Sequence, residues 1–190
     1  MTRLLIALKV VVLFGFLLAV GYPWLVTGFG RLFFSYQANG SLVMVGQETV
    51  GSLLIAQRFT SNDYFHSRPS DINYSIGAVK NENLTLEDAR FYHKLQQRVE
   101  EVRMRNGFKV SKLPNDAVLA SASGLDPHIS IDNAMLQLVR VAGTRKLSKR
   151  VVERLVLQAV EKDFVGIWGS LAVNVLKLNL SLDHMGSSRK

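Results

Sequence analysis

The chain has 190 residues, a length that allows one compact domain of about 100–200 residues with an appendage. Hydrophobic residues make up 48% of it, which excludes a wholly disordered protein because enough apolar surface exists to offset chain entropy. The formal net charge is +8, and the lack of cysteine excludes disulfide scaffolds, thiolate zinc sites and cysteine nucleophiles.

The first predicted element is a membrane anchor. No charged residue occurs between Val10 and Gly30, and a helix over this run would reach roughly 31 Å, about the thickness of a hydrocarbon core. Trp24 lies near the far end, where an aromatic belt is expected. We therefore predict an anchor over residues 1–30, with its transmembrane helix at about 8–29. A cleaved signal peptide is the alternative, but the run exceeds the usual apolar core of about 7–15 residues.

The charges beside the anchor predict its orientation. Arg3 and Lys9 precede the apolar run, whereas Arg31 is the sole basic residue after it before Arg58. This bias predicts a single-pass protein with a cytoplasmic N terminus and an extracytoplasmic C-terminal domain.

Residues 31–190 are predicted to form one soluble domain. Its first elements are two short strands at residues 41–45 and 52–56, joined by a polar turn. Residues 70–83 are polar without a helical stripe, which predicts a surface loop.

Three amphipathic helices and a strand are predicted next. Apolar residues recur at spacings of three or four over residues 85–106 and 130–143, and again after Ser148. Leucine alternates with polar residues over 176–182, a period typical of a half-buried strand. Strands, then helices, then a strand, without βαβ alternation, predict the α+β class. We therefore expect one N-terminal transmembrane helix followed by a single mixed helix/strand extracytoplasmic domain.

The sequence lacks the common motifs of phosphoryl transfer and hydrolysis. It has no Walker-type glycine loop, no Asp-Lys-Thr-Gly and no Gly-x-Ser-x-Gly. The densest polar cluster, residues 121–130, leaves two interpretations open. Ser123 could be the nucleophile of a membrane-anchored hydrolase, with His128 as base and Asp126 as orienter. Alternatively, the cluster is a loop that caps the following helix through Ser130.

Other polar residues indicate a site less clearly. His66, His128 and Asp126 are possible metal ligands, but no short spacing between them supports a site, so no metal is expected. The basic cluster from Arg140 to Arg154 is either a solvated surface or a contact for an acidic partner or anionic headgroups. Nucleic acid is not an expected partner outside the cytoplasm.

Blocks of residues between positions 21 and 182 carry a more specific signal. They are Gly21-Tyr22-Pro23 with Thr27-Gly28; Gln37-Ala38-Asn39-Gly40-Ser41-Leu42; Gly51-Ser52 with Leu54-Ile55-Ala56-Gln57-x-Phe59; Tyr64-Phe65-His66-x-Arg68-Pro69-Ser70; the run from Ala120 to Ser130; Gln137-x-x-Arg140-Val141-Ala142 with Arg145; and Val173-Asn174-Val175-Leu176-x-Leu178-Asn179-Leu180-x-Leu182. In this order the blocks resemble the C subunit family of the Kdp potassium-transporting ATPase. The chain departs from the family at residues 75–84, where Ser-Gly-Gly-Ser-Asn-Leu is usual, and at Val139, where proline is common.

The resemblance implies an accessory, non-catalytic subunit of a high-affinity, ATP-driven potassium uptake complex in the bacterial plasma (inner) membrane. The implied partners are a channel-like potassium-translocating subunit, a P-type ATPase catalytic subunit and a small membrane peptide, besides membrane lipid. The family is described as a catalytic chaperone that raises the catalytic subunit's affinity for ATP. Gln137 is the residue implied in contact with ATP, a cofactor shared with that subunit, and the chain alone is expected to bind none.

Two further expectations concern how such a subunit would act. Gly15 and Ala19 form a small-xxx-small pair on which another membrane helix could pack, unless these residues only dilute an apolar helix. Gly124, Asp126 and Arg140 are the expected partner contacts of the domain.

The predicted orientation conflicts with the implied nucleotide contact, because it places Gln137 across the bilayer from cytoplasmic ATP. For the assembled complex we therefore expect a role in assembly and stability, beside the outer mouth of the potassium path.

Overall fold

The computed structural model describes residues 2–77, 84–85, 87–107, 112–161 and 171–187. The chain divides into two compact units, Met1–Val50 and Gly51–Lys190. The domain boundary predicted between residues 30 and 31 stays a prediction.

A long apolar helix makes up most of the first unit. Helix α1 (Thr2–Phe16), a π-helical turn (Leu17–Gly21) and α2 (Tyr22–Phe33) follow one another directly, and none of their residues is buried. The combined helix of 32 residues is long and apolar enough to cross a membrane, which confirms the predicted N-terminal apolar helix. It continues past residues 8–29 at both ends, because a helix need not stop where the hydrocarbon does.

The π-helical turn lies next to a proline. The backbone N–H of Tyr22 donates to Leu17 O, five residues back instead of four. Pro23 has no N–H to donate, and the wider turn before it lets the helix continue.

A short helix and a two-stranded sheet complete this part of the chain. Helix α3 (Ser35–Ala38) precedes β1 (Leu42–Val45), which pairs with β2 (Glu48–Ser52). The first predicted strand is confirmed, but the second, at residues 52–56, is wrong. Gly46 has a φ of 66° and reverses the chain directly after β1, so the partner strand forms earlier and ends where the predicted one begins.

The second unit contains a small antiparallel sheet. Strand β5 (Ala172–Asn174) lies in the centre, between β3 (His128–Ser130) and β4 (Val160–Glu161). Val173 is opposite Ile129 on one side and Val160 on the other.

Five helices of the second unit lie within its described residues: α4 (Ala89–Asn106), α5 (Asn115–Val118), α6 (Ile131–Thr144), α7 (Lys149–Gln158) and α8 (Val175–Ser187). The N-caps of α6 and α7 are Ser130 and Ser148, as predicted, and Ser130 Oγ accepts from the backbone N–H of Asn133. Helix α4 starts later than Thr85, because Asp88 is its N-cap and accepts from the N–H of Arg90.

The predicted strand at residues 176–182 is wrong, because these residues lie in helix α8. Two of its leucines, Leu178 and Leu182, are fully buried four residues apart, one helical turn. Asn179, assigned by alternation to the solvent side, is 1% exposed. An Asn in an apolar run suggests an exposed position, but this one is buried because its amide is hydrogen-bonded in the core.

The core of the second unit lies between the helices and the sheet. It unites buried residues from a loop, two strands and three helices, among them Phe65, Ile129, Val141, Val156, Val173 and Leu178. Helices and a small antiparallel sheet around one core confirm the α+β class.

Residues 70–77 of the predicted loop contain turns and no helix or strand, as expected. Residues 78–83, in which the chain also departs from the family pattern, lie outside the described residues.

Candidate functional site

Residues 64–68, here called the central segment, have no regular secondary structure but are held from several sides. Phe65 is 0% exposed and packs in the core. An irregular segment this deep must satisfy its backbone groups with side chains. The residues that do so belong to blocks that are far apart in the sequence.

Two amide side chains pair with consecutive residues of the central segment. Asn179 accepts from the N–H of Phe65 at 2.8 Å and donates to its carbonyl at 2.9 Å. Gln137 accepts from the N–H of His66 at 2.8 Å and donates to its carbonyl at 3.0 Å. Each amide therefore supplies a donor and an acceptor, as a neighbouring strand would.

Arg140 ties helix α6 to the same region. Its guanidinium donates to the carbonyl oxygens of Asn62 at 2.5 Å and Tyr64 at 2.9 Å, and to Gln137 Oε1 at 2.8 Å. Its Nε donates to Asn106 Oδ1 at 2.9 Å, at the end of α4.

Arg145 closes the network toward helix α8. It donates to the carbonyl oxygen of Asp63 at 2.6 Å and to Asp183 Oδ1 at 2.8 Å, and it lies 4.7 Å from the ring centroid of Tyr64. The hydroxyl of Tyr64 also donates to Asp183, at 3.1 Å.

Burial lowers the pKa values of two groups in this network. Desolvation lowers the pKa of His66 to about 4, and the charges of Arg140 and Arg105 act in the same direction. His66 is therefore neutral at pH 7, with Nε2 2.9 Å from Ser61 O. Desolvation also lowers the pKa of Arg140 to about 10, which leaves it charged at pH 7.

The polar loop at residues 121–130 does not form a nucleophile–base pair. Ser123 Oγ accepts from the backbone N–H of Leu125 at 3.1 Å. The imidazole Nε2 of His128 lies 3.1 Å from Glu161 Oε2, and Asp126 is paired with Arg68 at 3.0 Å. No hydrogen bond in the described part of the chain joins Ser123 to His128.

The loop is shaped by a glycine and a carboxylate. Gly124 has a φ of 66°, and a Cβ there would lie 2.6 Å from Cγ1 of Ile72. Asp116 accepts from the N–H of Ser130 at 2.7 Å and its hydroxyl at 2.8 Å, and from the side chain of Asn133 at 3.0 Å. Asp116 thus fixes the junction of β3 and α6.

A comparison with known families matches almost the whole chain. The family model described as KdpC, K+-transporting ATPase, c chain, covers residues 4–184. The chain belongs to this family.

Individual KdpC relatives match at similar coverage, and each is named Potassium-transporting ATPase KdpC subunit. The protein of Caldanaerobacter subterraneus subsp. tengcongensis is 43% identical over 176 residues, which are 92% of this chain and 91% of the relative. That of Mycobacterium tuberculosis H37Rv is 42% identical over 186 residues, 96% of this chain and 98% of the relative. That of Yersinia enterocolitica is 40% identical over 180 residues, with shares of 93% and 90%.

The structure shows where the residues implied by the KdpC resemblance lie. Gln137 is 4% exposed, and its amide also donates to Asn133 Oδ1 at 3.0 Å. With Arg140 and His66, all four hydrogen-bonding positions of the Gln137 amide are therefore occupied. Contact between this amide and a nucleotide stays a prediction, and it would require one of these bonds to break.

The predicted partner contacts fall into two groups. Gly124, Asp126 and Arg140 all have structural roles in the second unit, as described above. Gly15 and Ala19 lie in the apolar helix with exposed surfaces, and a Cβ added at Gly15 would have nothing within 4 Å. Partner binding at all five positions stays a prediction.

The remaining sequence candidates are surface or structural residues. Lys149, Arg150 and Arg154 of the basic cluster are exposed on α7, whereas Arg140 and Arg145 bind backbone carbonyl groups. Among the described residues no three His, Asp or Glu side chains are grouped so that they could hold a metal ion.

Sequence analysis missed Asp116 as a structural residue, and it did not predict that Asn179 is buried. Asp116 lies in a four-residue helix with no motif of its own, so nothing local indicates its three bonds. Asn179 was hidden by the alternation of leucine with polar residues, which has the period of a strand.

Proposed function

We propose that the chain is a non-catalytic accessory subunit that assembles and stabilises an ATP-driven potassium uptake complex. One observation supports this most: the polar residues considered above for catalysis or nucleotide contact are all used in structural contacts. Ser123, Asp126 and His128 hold a loop and a sheet edge, and Gln137 holds the central segment. A chain that combines this domain with a membrane-capable helix suits a scaffold better than a catalyst.

The proposal includes a location and partners. The apolar helix would cross the bacterial plasma (inner) membrane once, and the charge bias at Arg3 and Lys9 supports a cytoplasmic N terminus. The domain would then lie outside the cytoplasm, in contact with the channel-like potassium-translocating subunit. The P-type ATPase catalytic subunit and the small membrane peptide would complete the complex.

The family resemblance also implies that the subunit raises the affinity of the catalytic subunit for ATP through Gln137. The occupied amide of Gln137 supports the assembly role over direct nucleotide contact. Two alanine variants separate these roles, because Gln137 and Asn179 hold adjacent residues with the same pair of bonds.

The test compares Gln137→Ala with Asn179→Ala in the full complex, purified in mild detergent. Each variant leaves two buried backbone groups unpaired, so each should destabilise the domain by about 2–4 kcal/mol. Under the assembly role, both variants lower the yield of complex. The complex that remains should have an unchanged KM for ATP. If Gln137→Ala raises that KM while Asn179→Ala does not, the nucleotide role is supported and the assembly proposal is incomplete. Purification of the wild-type chain without any large membrane partner would overturn the proposal.

A further inference from the structure

A cleft of about 450 Å³ opens between helix α4 and the stretch from Arg58 to Tyr74, in the second unit. We call it the basic cleft and define it by six of its lining residues: Arg58, Ser67, Tyr74, Lys94, Arg98 and Arg105. Its size is within the range of small-molecule sites, about 300–1,000 Å³. Four cations line it, and Glu101 is the one acid among its lining residues in the described part of the chain.

The cations of the basic cleft are only partly neutralised. Arg98 is 2.6 Å from Asp71, which balances its charge. The side chains of Arg58 and Arg105 are exposed, and neither side chain forms a hydrogen bond or an ion pair with the residues the structure describes. Like charges held together without partners favour an anion between them.

Three of the arginines that line the cleft affect the pKa of Tyr74. Burial raises the pKa of the Tyr74 phenol, and the charges of Arg105, Arg58 and Arg98 all oppose that rise. All three arginines line the same cleft as Tyr74. The phenol itself donates to the carbonyl oxygen of Arg68 at 2.8 Å, so it is fixed as part of the cleft wall.

The cleft also holds an unused hydroxyl group. Ser67 Oγ is buried and has no hydrogen-bond partner among the described residues. A buried hydroxyl without a partner costs free energy, and rotation of the Ser67 side chain toward the cleft would let a bound acceptor recover it.

We propose that the basic cleft binds a small, doubly charged oxyanion of the phosphate-monoester class. A tetrahedral dianion has three free oxygens to satisfy, and arginine forks with a hydroxyl donor match it better than they match the two oxygens of a carboxylate. Phe59 and Pro69 line the same cleft and provide apolar surface for the organic part of an ester. The inference goes beyond the proposed function and does not depend on it, because it rests on neither the complex nor Gln137.

The phosphate monoester could come from a soluble metabolite or from a lipid headgroup such as phosphatidate. The first experiment uses glycerol 3-phosphate as the soluble probe. It is titrated calorimetrically into the full chain in a neutral detergent, at constant ionic strength, with chloride as the reference anion. We expect saturable binding that chloride does not reproduce.

Matched variants locate the site. Arg58→Gln with Arg105→Gln should weaken binding about tenfold or more, since each arginine contributes charged hydrogen bonds. Arg150→Gln with Arg154→Gln removes the same charge from the exposed surface of α7 and should leave binding unchanged. Because all four side chains are exposed, the melting temperature without ligand should stay that of the wild type, which shows that each variant folds.

A second arm identifies the source of the phosphate. The chain is reconstituted in phosphatidylcholine vesicles with or without phosphatidate, and glycerol 3-phosphate binding is measured in each. Equal binding in both vesicles supports a soluble ligand, and loss of binding in phosphatidate vesicles supports the headgroup. Absence of saturable binding, or equal binding by wild type and the Arg58→Gln/Arg105→Gln variant, would overturn the proposal.

Discussion

At the scale of single residues, buried polar side chains replace a missing strand. The central segment has the backbone groups of a strand but no strand beside it, and Gln137 and Asn179 satisfy those groups in pairs. Pairing of this kind fixes the position of the segment, because a shift by one residue would leave four buried groups unpaired. The Gln-x-x-Arg-Val-Ala and Tyr-Phe-His blocks of the family therefore lie together for structural reasons.

The buried imidazole of His66 makes the stability of the domain depend on pH. Its pKa is about 4 in the folded chain and 6.5 when solvated, so between these values the unfolded state alone takes up the proton. The contribution of this residue to the free energy of unfolding is fully present above pH 6.5. As the pH decreases below that value, the free energy of unfolding decreases by up to about 1.4 kcal/mol per pH unit. We expect the free energy of unfolding in urea to decrease from pH 6.5 to pH 5.

The control is His66→Asn, which removes the titrating group. The stability of this variant should depend less on pH over the same interval. Burial alone would raise the pKa of Glu161, but hydrogen bonds from His128 and Lys177 hold it below its usual value, so protonation of this carboxylate contributes little there. A wild-type profile as flat as that of the variant would show that His66 takes up its proton inside the folded domain.

Two glycines respond oppositely to the same substitution. Gly124→Ala places a Cβ in the left-handed region and 2.6 Å from Ile72, so we expect a loss of about 1–3 kcal/mol in unfolding free energy. Gly143→Ala lies in helix α6 with nothing within 4 Å, and should stabilise by about 0.5–1 kcal/mol. Thermal unfolding of the two variants measures both changes, and equal effects would show that the loop around Gly124 relaxes.

At the scale of elements, the sequence predicted helices α6 and α7 well because their caps and apolar spacing agree. Ser130 and Ser148 lie directly before amphipathic helical patterns, and local and long-range preferences favour the same structure.

Helix α8 shows what happens when the local pattern and the tertiary packing disagree. Seven alternating residues satisfy the period of a strand, yet the fold buries Leu178, Asn179 and Leu182 on one helical face. No local signal shows that a polar residue will find a partner 114 residues away in sequence.

The apolar helix offers a clean test of docking in the membrane. Gly15 has open space where a Cβ would lie, so the isolated chain should tolerate Gly15→Leu and Ala19→Leu without internal clashes. If these residues face a partner helix, the double variant should keep that helix away and reduce recovery of the complex at least several-fold. Gly28→Leu is the matched control, since that glycine is equally open and lies outside the small-residue pair.

Co-purification with the partner subunits and growth at low potassium measure the effect. If Gly15→Leu with Ala19→Leu assembles as well as Gly28→Leu, the small residues only dilute an apolar helix, and the domain carries the assembly energy.

At the scale of the whole molecule, hydropathy predicted the long apolar helix, since it depends on a sum over many residues, and the order of the predicted elements gave the α+β class. The site residues depend instead on pairs such as Arg68 with Asp126 and Asp116 with Ser130, which lie 58 and 14 residues apart. The family resemblance indicated Gln137 and Arg140, and the structure adds the geometry that gives them a structural role.

The orientation of the chain decides between the roles considered for Gln137, and it is directly measurable. The sequence contains no cysteine, so single introduced cysteines can be labelled without background. Thr2→Cys marks the N terminus, and Lys149→Cys marks the exposed start of α7. The positive charges of Arg3 and Lys9 outweigh that of Arg31, which predicts a cytoplasmic N terminus. An impermeant maleimide should therefore label Lys149→Cys in intact spheroplasts, whereas it should label Thr2→Cys only after the spheroplasts have been disrupted. The reverse pattern would place the domain beside cytoplasmic nucleotide. Contact between Gln137 and ATP would then need only a local rearrangement, whereas the expected pattern requires the bilayer to be crossed.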